Sequence, residues 1–173
     1  MDSYIILLFY NSLMSVIITP ATQKDYFGFV EIFKEVEEFH RLQAPWKFQK
    51  PEPELFAKSY YDDIITHGDS RLLLAKDGEH VVGFIMAFKR ISNPIPVLQP
   101  RVLIEIDNLM IQDEYKKKGI GKLLLQKIED WAKEIKVTDI ELHVWGFNEG
   151  AIKFYEKSGY TIISHNMRKV IGE

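Results

Sequence analysis

The stretch YKKKGIGKLLLQKIEDW, residues 115–131, sets a run of lysines and two glycines against the start of a helical pattern. From Gly121 onward Leu124, Ile128, Trp131, Ala132 and Ile135 fall on one face, with Lys127, Asp130, Lys133 and Glu134 on the other, which is the spacing of an amphipathic helix. Just before it, VLIEIDNLMI (102–111) has the apolar, β-branched character of a strand. The order is therefore strand, short turn, glycine, helix. The first N–H groups of a helix lack intrahelical acceptors and lie at the positive end of its dipole, so they suit an anion such as phosphate. Gly119 and Gly121 let such a ligand approach the backbone, and Lys116, Lys117, Lys118 and Lys122 add positive charge. Lys117 and Lys122 read equally well as a solvated face. Neither common nucleotide motif is met. A P-loop, GxxxxGK[ST], would need glycine at Lys116 and a hydroxyl at Leu123, and the dinucleotide fingerprint GxGxxG would need glycine at Leu124.

The 173 residues are 46% hydrophobic and 13% aromatic, enough for one domain with a substantial core. A formal charge of −3 argues against a general nucleic-acid binder, which needs a net basic face. Without cysteine there is no disulfide, thiolate nucleophile or cysteine metal site, and the five histidines form no HExxH pair, so no metal is expected. The apolar run at 4–9 is far shorter than the roughly 20 residues that span a bilayer, and the only charge ahead of it is Asp2. The expectation is a cytoplasmic protein with no membrane partner. Residues 1–13 read as an extension, and 14–173 as a single domain.

Along that domain strand and helix alternate. Residues 15–19 form a β-branched run, and Thr22 to Asp25 fits a capping box, followed by Tyr26, Phe29, Val30, Phe33 and Val36 at helical spacing to about His40. A proline-rich connection (43–53) leads to a second helix around Leu55, Ala57, Tyr61 and Ile65. Residues 70–75 and 80–91 form a hairpin about Asp77-Gly78. A second proline-rich loop (92–100) precedes the strand at 102–111. Past the amphipathic helix, 139–144 alternate as a strand, Asn148 caps a helix running to Lys157, Ser158-Gly159 ends it, and YTIISHNMRKVI (160–171) reads as a closing strand. The sum is an α/β domain with a mixed, mostly antiparallel sheet flanked by helices.

Lys116-x-x-Gly119-x-Gly121 resembles the [RQ]xxGx[GA] loop of the GCN5-related N-acetyltransferases (GNAT family). Asn148-x-x-Ala151-x-x-Phe154-Tyr155-x-x-x-Gly159-Tyr160 resembles the NxxAxxFYxxxGF element of the same family. Both stand in the family's order, each on the expected element. Lys116 departs from the usual Arg or Gln, and Lys117 stands where glycine is common. The resemblance covers about residues 14–171 and implies the acyl-CoA N-acyltransferase fold. It also implies acetyl-CoA as acyl donor, bound by the loop residues Lys116, Lys117, Lys118, Gly119, Ile120, Gly121 and Lys122, and an amine, small molecule or protein group, as acceptor.

The chemistry that the resemblance implies makes demands on residues. An alkyl amine is free base only to about one part in a thousand at neutral pH, a handicap of roughly 4 to 5 kcal/mol, so a proton acceptor belongs near it. Glu105 occupies the strand position where several family members carry a glutamate base. Asp107 shares its face by alternation, and His143 falls where others place a histidine or glutamate. The order of preference is Glu105, His143, Asp107. The resemblance also implies a backbone N–H for the oxyanion at Leu109 or its neighbour Met110, and a pairing edge for the pantetheine arm at Ile111. Tyr155 matches the proton donor to the departing thiolate, and Asn148 the residue holding the cofactor arm. The acids Glu35, Glu37, Glu38, Asp62 and Asp63 suit a cationic acceptor, with His40, Trp46 and Phe48 as an aromatic wall. The alternative reading is a non-catalytic acyl-CoA sensor or interaction module. Exposed edge strands would allow a homodimer.

Overall fold

The computed structural model describes residues 16–50, 57–92 and 96–172. The extension expected over 1–13 lies outside them, as do Leu55 and parts of both proline-rich connections. Two compact units are present, divided between His143 and Val144.

The first unit is built on a sheet of five strands in the order β1 (Val16–Pro20), β2 (Ser70–Asp77), β3 (His80–Ile91), β4 (Val102–Ile111), β5 (Asp139–Leu142). All neighbours are antiparallel except β4 and β5, which run parallel. The β2–β3 hairpin turns at Gly78, whose φ of +58° is the left-handed conformation that glycine adopts without strain. Thr22 and Asp25 form the expected capping box, Asp25 Oδ2 accepting from Thr22 N at 2.9 Å and from Thr22 Oγ1 at 2.7 Å. A short 3₁₀ turn (Gln23–Asp25) intervenes before α1 (Tyr26–Gln43), which runs one turn beyond the expected end. Buried Asp25 also takes Lys76 at 2.6 Å. Burial by itself would raise the Asp25 carboxyl, but the bonds from Lys76 and Thr22 together outweigh it and hold the group below its usual range.

Each central strand is apolar on both sides because each side is covered. On one, Phe29, Ile32, Phe33 and Val36 of α1 and Tyr61 and Ile64 of α2 (Lys58–Thr66) pack on Leu72, Leu74, Phe84 and Met86. Helix α3 (Ile120–Glu134) packs on β2, β3 and β4 through its own apolar stripe, Ile120, Leu124, Leu125, Ile128 and Trp131, all buried. Trp131 is core, as expected, with the Arg71 guanidinium 4.6 Å from its ring. Among the described residues no helix is long and apolar enough to cross a membrane.

The second unit holds α4 (Glu149–Lys157), capped as expected by Asn148, whose Oδ1 accepts from Ala151 N at 3.1 Å. Gly159, at φ +92°, ends it. The closing strand expected over 160–171 is absent: these residues have no regular structure, and Ile162, Ile163, Met167, Val170 and Ile171 are exposed. Apolar residues fall on both parities of this segment, so no single face would gain by burial, and a strand without a ladder partner does not persist.

One irregularity decides the shape of β4. Met86 pairs with Asn108 and Ala87 with Ile106, so Asp107 is an extra residue, a β-bulge. Further along, Gly83 faces Ile111, and a methyl group on Gly83 would sit 2.5 Å from Ile111 Cδ1 and 2.9 Å from the Met110 carbonyl oxygen. The backbone oxygen cannot retreat without breaking the ladder. Gly83→Ala is therefore expected to destabilise by about 1–3 kcal/mol through overpacking, read as a lower urea midpoint at unchanged slope.

Candidate active site

The loop between β4 and α3 has the geometry for an anion. After a 3₁₀ turn (Asp113–Tyr115), Lys117 takes φ +60° and Gly119 φ +85°, and the helix starts at Ile120. The amides of Ile120, Gly121 and Lys122 have no intrahelical acceptor. A methyl group on Gly119 would meet no protein atom within 4 Å, so the space beside Gly119, at the start of the helix, is open. Lys117 sits in a conformation that disfavours side chains by roughly 1–2 kcal/mol, which gives a physical reason why glycine is common there. The four lysines, Lys116, Lys117, Lys118 and Lys122, are exposed. Lys116 pairs with Asp113, and the Lys118 ammonium lies 5.1 Å from the Tyr115 ring, itself fixed by a 2.9 Å bond from its hydroxyl to Asp77.

Strand β4 supplies the rest. Its parallel pairing with β5 ends at Ile106 opposite Leu142, so from Asp107 to Ile111 this edge has no strand partner among the described residues. Leu109, Met110 and Ile111 pair on the other side with Ile85, Phe84 and Gly83. The alternation that puts Glu105 and Asp107 on one face holds, but the bulge then reverses the parity. Asn108 and Met110 face the α1 and α2 side with Met86 and Phe84, which shifts Leu109 and Ile111 to the α3 side.

The acids differ in their surroundings. Glu105 Oε2 accepts from Arg90 Nε at 2.8 Å, and the same guanidinium lies 4.7 Å from the Phe88 ring. Asp107 accepts from the Asn108 amide at 2.6 Å and has no ion-pair partner among the described residues. Asp107 is exposed, and the protein around it still removes part of its hydration. That desolvation is the main reason its carboxyl is raised, with the Glu105 charge adding and the Asn108 bond and Arg90 charge opposing. Glu37, on α1, is raised by burial and then by Asp107. The Tyr60 hydroxyl, on α2, is raised by burial and by Asp107, with Arg90 opposing. His40 is lowered by burial and by the charge of His143, so His143 lies on this side too, just after β5. His40 stacks on Phe48 at 5.3 Å, and Trp46 is half exposed, which gives part of the expected aromatic wall.

Within the first unit Glu37 and Glu105 thus interact with Asp107, and His40 with His143, while Tyr155 and Asn148 belong to the second. Tyr155 packs its ring edgewise on Phe154 and Tyr160, at 5.2 and 5.6 Å, and burial pushes its hydroxyl up to about 12. Sequence reading missed Arg90, Tyr60 and Asn108. Their signal depends on the β3–β4 register and the bulge, which no local pattern announces. Among the described residues no group of acids and histidines could hold a metal ion.

The acetyltransferase (GNAT) family model matches residues 33–160. An N-acetyltransferase of Methanocaldococcus jannaschii is 26% identical over 152 residues, 87% of this chain and 63% of that protein. The L-ornithine N5-acetyltransferase of Arabidopsis thaliana is 26% identical over 122 residues, 70% of this chain and 44% of that one. The chain thus spans less than two thirds of the length of these curated relatives. The crystal structure of a tetramutant of a Bacillus halodurans protein superposes with a TM-score of 0.82 at 26% identity, over 90% of this chain and 99% of that one. With its glycine- and lysine-rich loop, its interrupted fourth strand and a family match running through both, the chain belongs to the acetyltransferase (GNAT) family.

Proposed function

We propose that this chain is an N-acetyltransferase that moves the acetyl group of acetyl-CoA to a primary amine by direct attack in a ternary complex. The observation that carries the reading is the loop from Lys116 to Lys122, with left-handed backbone at Lys117 and Gly119 and open space beside Gly119 where α3 begins. Those amides hold the diphosphate of the donor, and the lysines screen its charge. The β4 edge from Asp107 to Ile111 gives the pantetheine arm backbone groups to pair with, and the Leu109 N–H receives the oxyanion as the thioester is attacked. A proton acceptor for the amine comes from Glu105, Asp107 or His143. Tyr155, a phenol at neutral pH whose hydroxyl burial raises further, suits a hydrogen bond to the departing thiolate. The relative that acts on L-ornithine, together with the acids Glu37 and Asp107, favours a small amine that carries further positive charge.

Acetyl-CoA at about 100 times its dissociation constant is expected to stabilise the fold by about 2.7 kcal/mol, a rise in Tm of roughly 5–10 °C. No rise would remove the reading. Thiol release in the presence of an amine panel then tests turnover, and a thermal shift without thiol release would leave a non-catalytic acyl-CoA-binding module. Gly119→Ala should lose about 1–2 kcal/mol of stability through φ alone, since the new methyl group meets no protein atom, and should weaken acetyl-CoA binding besides. Tyr155→Phe should keep the thermal shift and lower kcat, by a factor of about 10 or more if the hydroxyl bonds the thiolate.

A further inference from the structure

Alternation along β4 offers Glu105 and Asp107 as equals, and the structure separates them. Glu105 is already committed: its Oε2 takes the Arg90 Nε at 2.8 Å, across a pair whose guanidinium is steadied over Phe88. The pair is about half exposed on both sides, so it does not immobilise Glu105 by strength. Its effect is one of sign. An amine arrives as an ammonium ion, and a guanidinium within hydrogen-bonding distance of Glu105 opposes it there.

Asp107 has the opposite setting. As the extra residue of the bulge it stands where β5 has just left the sheet edge, and bulges of this kind re-aim a side chain. One lone pair is taken by the Asn108 amide, which fixes the carboxylate and leaves the other oxygen open. The groups that face it are Glu37 of α1, Tyr60 of α2, Arg90 of β3, and Glu105 and Asn108 of β4. His40 and His143 interact with each other. Arg90, the cation whose charge reaches Asp107 among the described residues, is bonded to Glu105.

We propose that Asp107, set on the β4 bulge, is the carboxylate that takes the proton from the acceptor amine, and that Arg90 is a positioning residue that withholds Glu105 from that role. The assignment rests on the acetyltransferase reading above. The ammonium of the acceptor gives one proton to the Asp107 carboxylate, which passes it to solvent. The neutral amine then attacks the thioester carbon, the C–N bond forms, the C–S bond breaks, and the thiolate leaves with the second amine proton. One acetyl group moves and one proton is released per turnover, with no change of oxidation state. The raised carboxyl of Asp107 brings it nearer the pH at which a base both stays ionised and attracts a proton.

The test uses the full chain, with L-ornithine, 1,4-diaminobutane and kanamycin as acceptors, and reads kcat/KM against pH beside the acetyl-CoA thermal shift. Asp107→Asn should keep the shift and lose about 10²-fold or more in kcat/KM, together with the acid limb of the profile. Glu105→Gln should keep that limb. Asp107→Glu, which retains a carboxylate on a longer stem, should recover part of the rate and guards against a folding defect in the amide variant. Arg90→Gln removes a positive charge that lowers the Asp107 carboxyl, so the acid limb should move to higher pH, and in an Asp107→Asn background it should restore part of the rate by releasing Glu105. A merely structural arginine would do neither. The proposal is overturned if Glu105→Gln carries the loss, if the limb survives in Asp107→Asn, or if none of the three amines is acetylated although acetyl-CoA binds. Absence of any acetyl-CoA shift in the parent chain would instead overturn the reading on which it rests.

Discussion

Between Met86 and Ala87 of β3, strand β4 has to accommodate Asp107 as an additional residue, and the ladder absorbs it by bulging. The side chains of Asp107 and Asn108 then point to the same side of the sheet, where α1 and α2 lie, and the pleat beyond them reverses. At the same point the parallel partner β5 stops. A strand that is paired on both edges at Ile106 is paired on one edge only by Ile111. Backbone donors and acceptors become available in the middle of a domain without a loop having to enter it, which would otherwise bury unmet polar groups.

That single interruption lets one strand meet two opposite electrostatic demands. Beyond its C-terminal end come the lysine-rich loop and the first amides of α3, where the proposed reading seats the donor's phosphates. At its middle come the carboxylates of Glu105 and Asp107, where the proposed reading seats the amine. The buried core between α1, α2 and the sheet, with Phe29, Phe84 and Tyr61 packed ring against ring, fixes α1 and therefore Glu37 relative to β4. The polar network of Thr22, Asp25 and Lys76 holds the start of the same helix to β2. Because Lys76 holds the Asp25 carboxyl below its usual range, this tie contributes stability above the ordinary carboxylate range that is lost as pH falls through the lowered value.

Periodicity made the order of elements legible from β1 to α4, because each signal there is local. The capping box at Thr22, the Asp77-Gly78 turn, the α3 stripe ending in Trp131 and the Asn148 cap all act within a few residues of chain. The family resemblance of the anion loop was legible for the same reason. What escaped was long range. The pairing of Arg90 with Glu105 spans 15 positions and depends on a register that Asp107 displaces. Alternation alone ranks Glu105 and Asp107 together, since it describes which side a residue faces and not what waits there. The segment 160–171 misled for a related reason: its β-branched content suggests a strand, but apolar residues on both parities give it no face to bury. Lys117 departs from the family's glycine in the sequence, and only the backbone shows that the departure is one of strain.

The contact between Arg71 and Trp131 has a consequence for the far end of the same helix. Arg71 also donates to the carbonyls of Gly68 and Ser70, so its guanidinium is tethered to the start of β2 before it covers the Trp131 ring. Helix α3 is thereby pinned near its C-terminus, while Ile120 and Leu124 seat its beginning in the core. A rod held at both ends cannot swing. Its leading amides face outward in a fixed direction before any anion arrives, so little orientational entropy remains to be surrendered at the encounter.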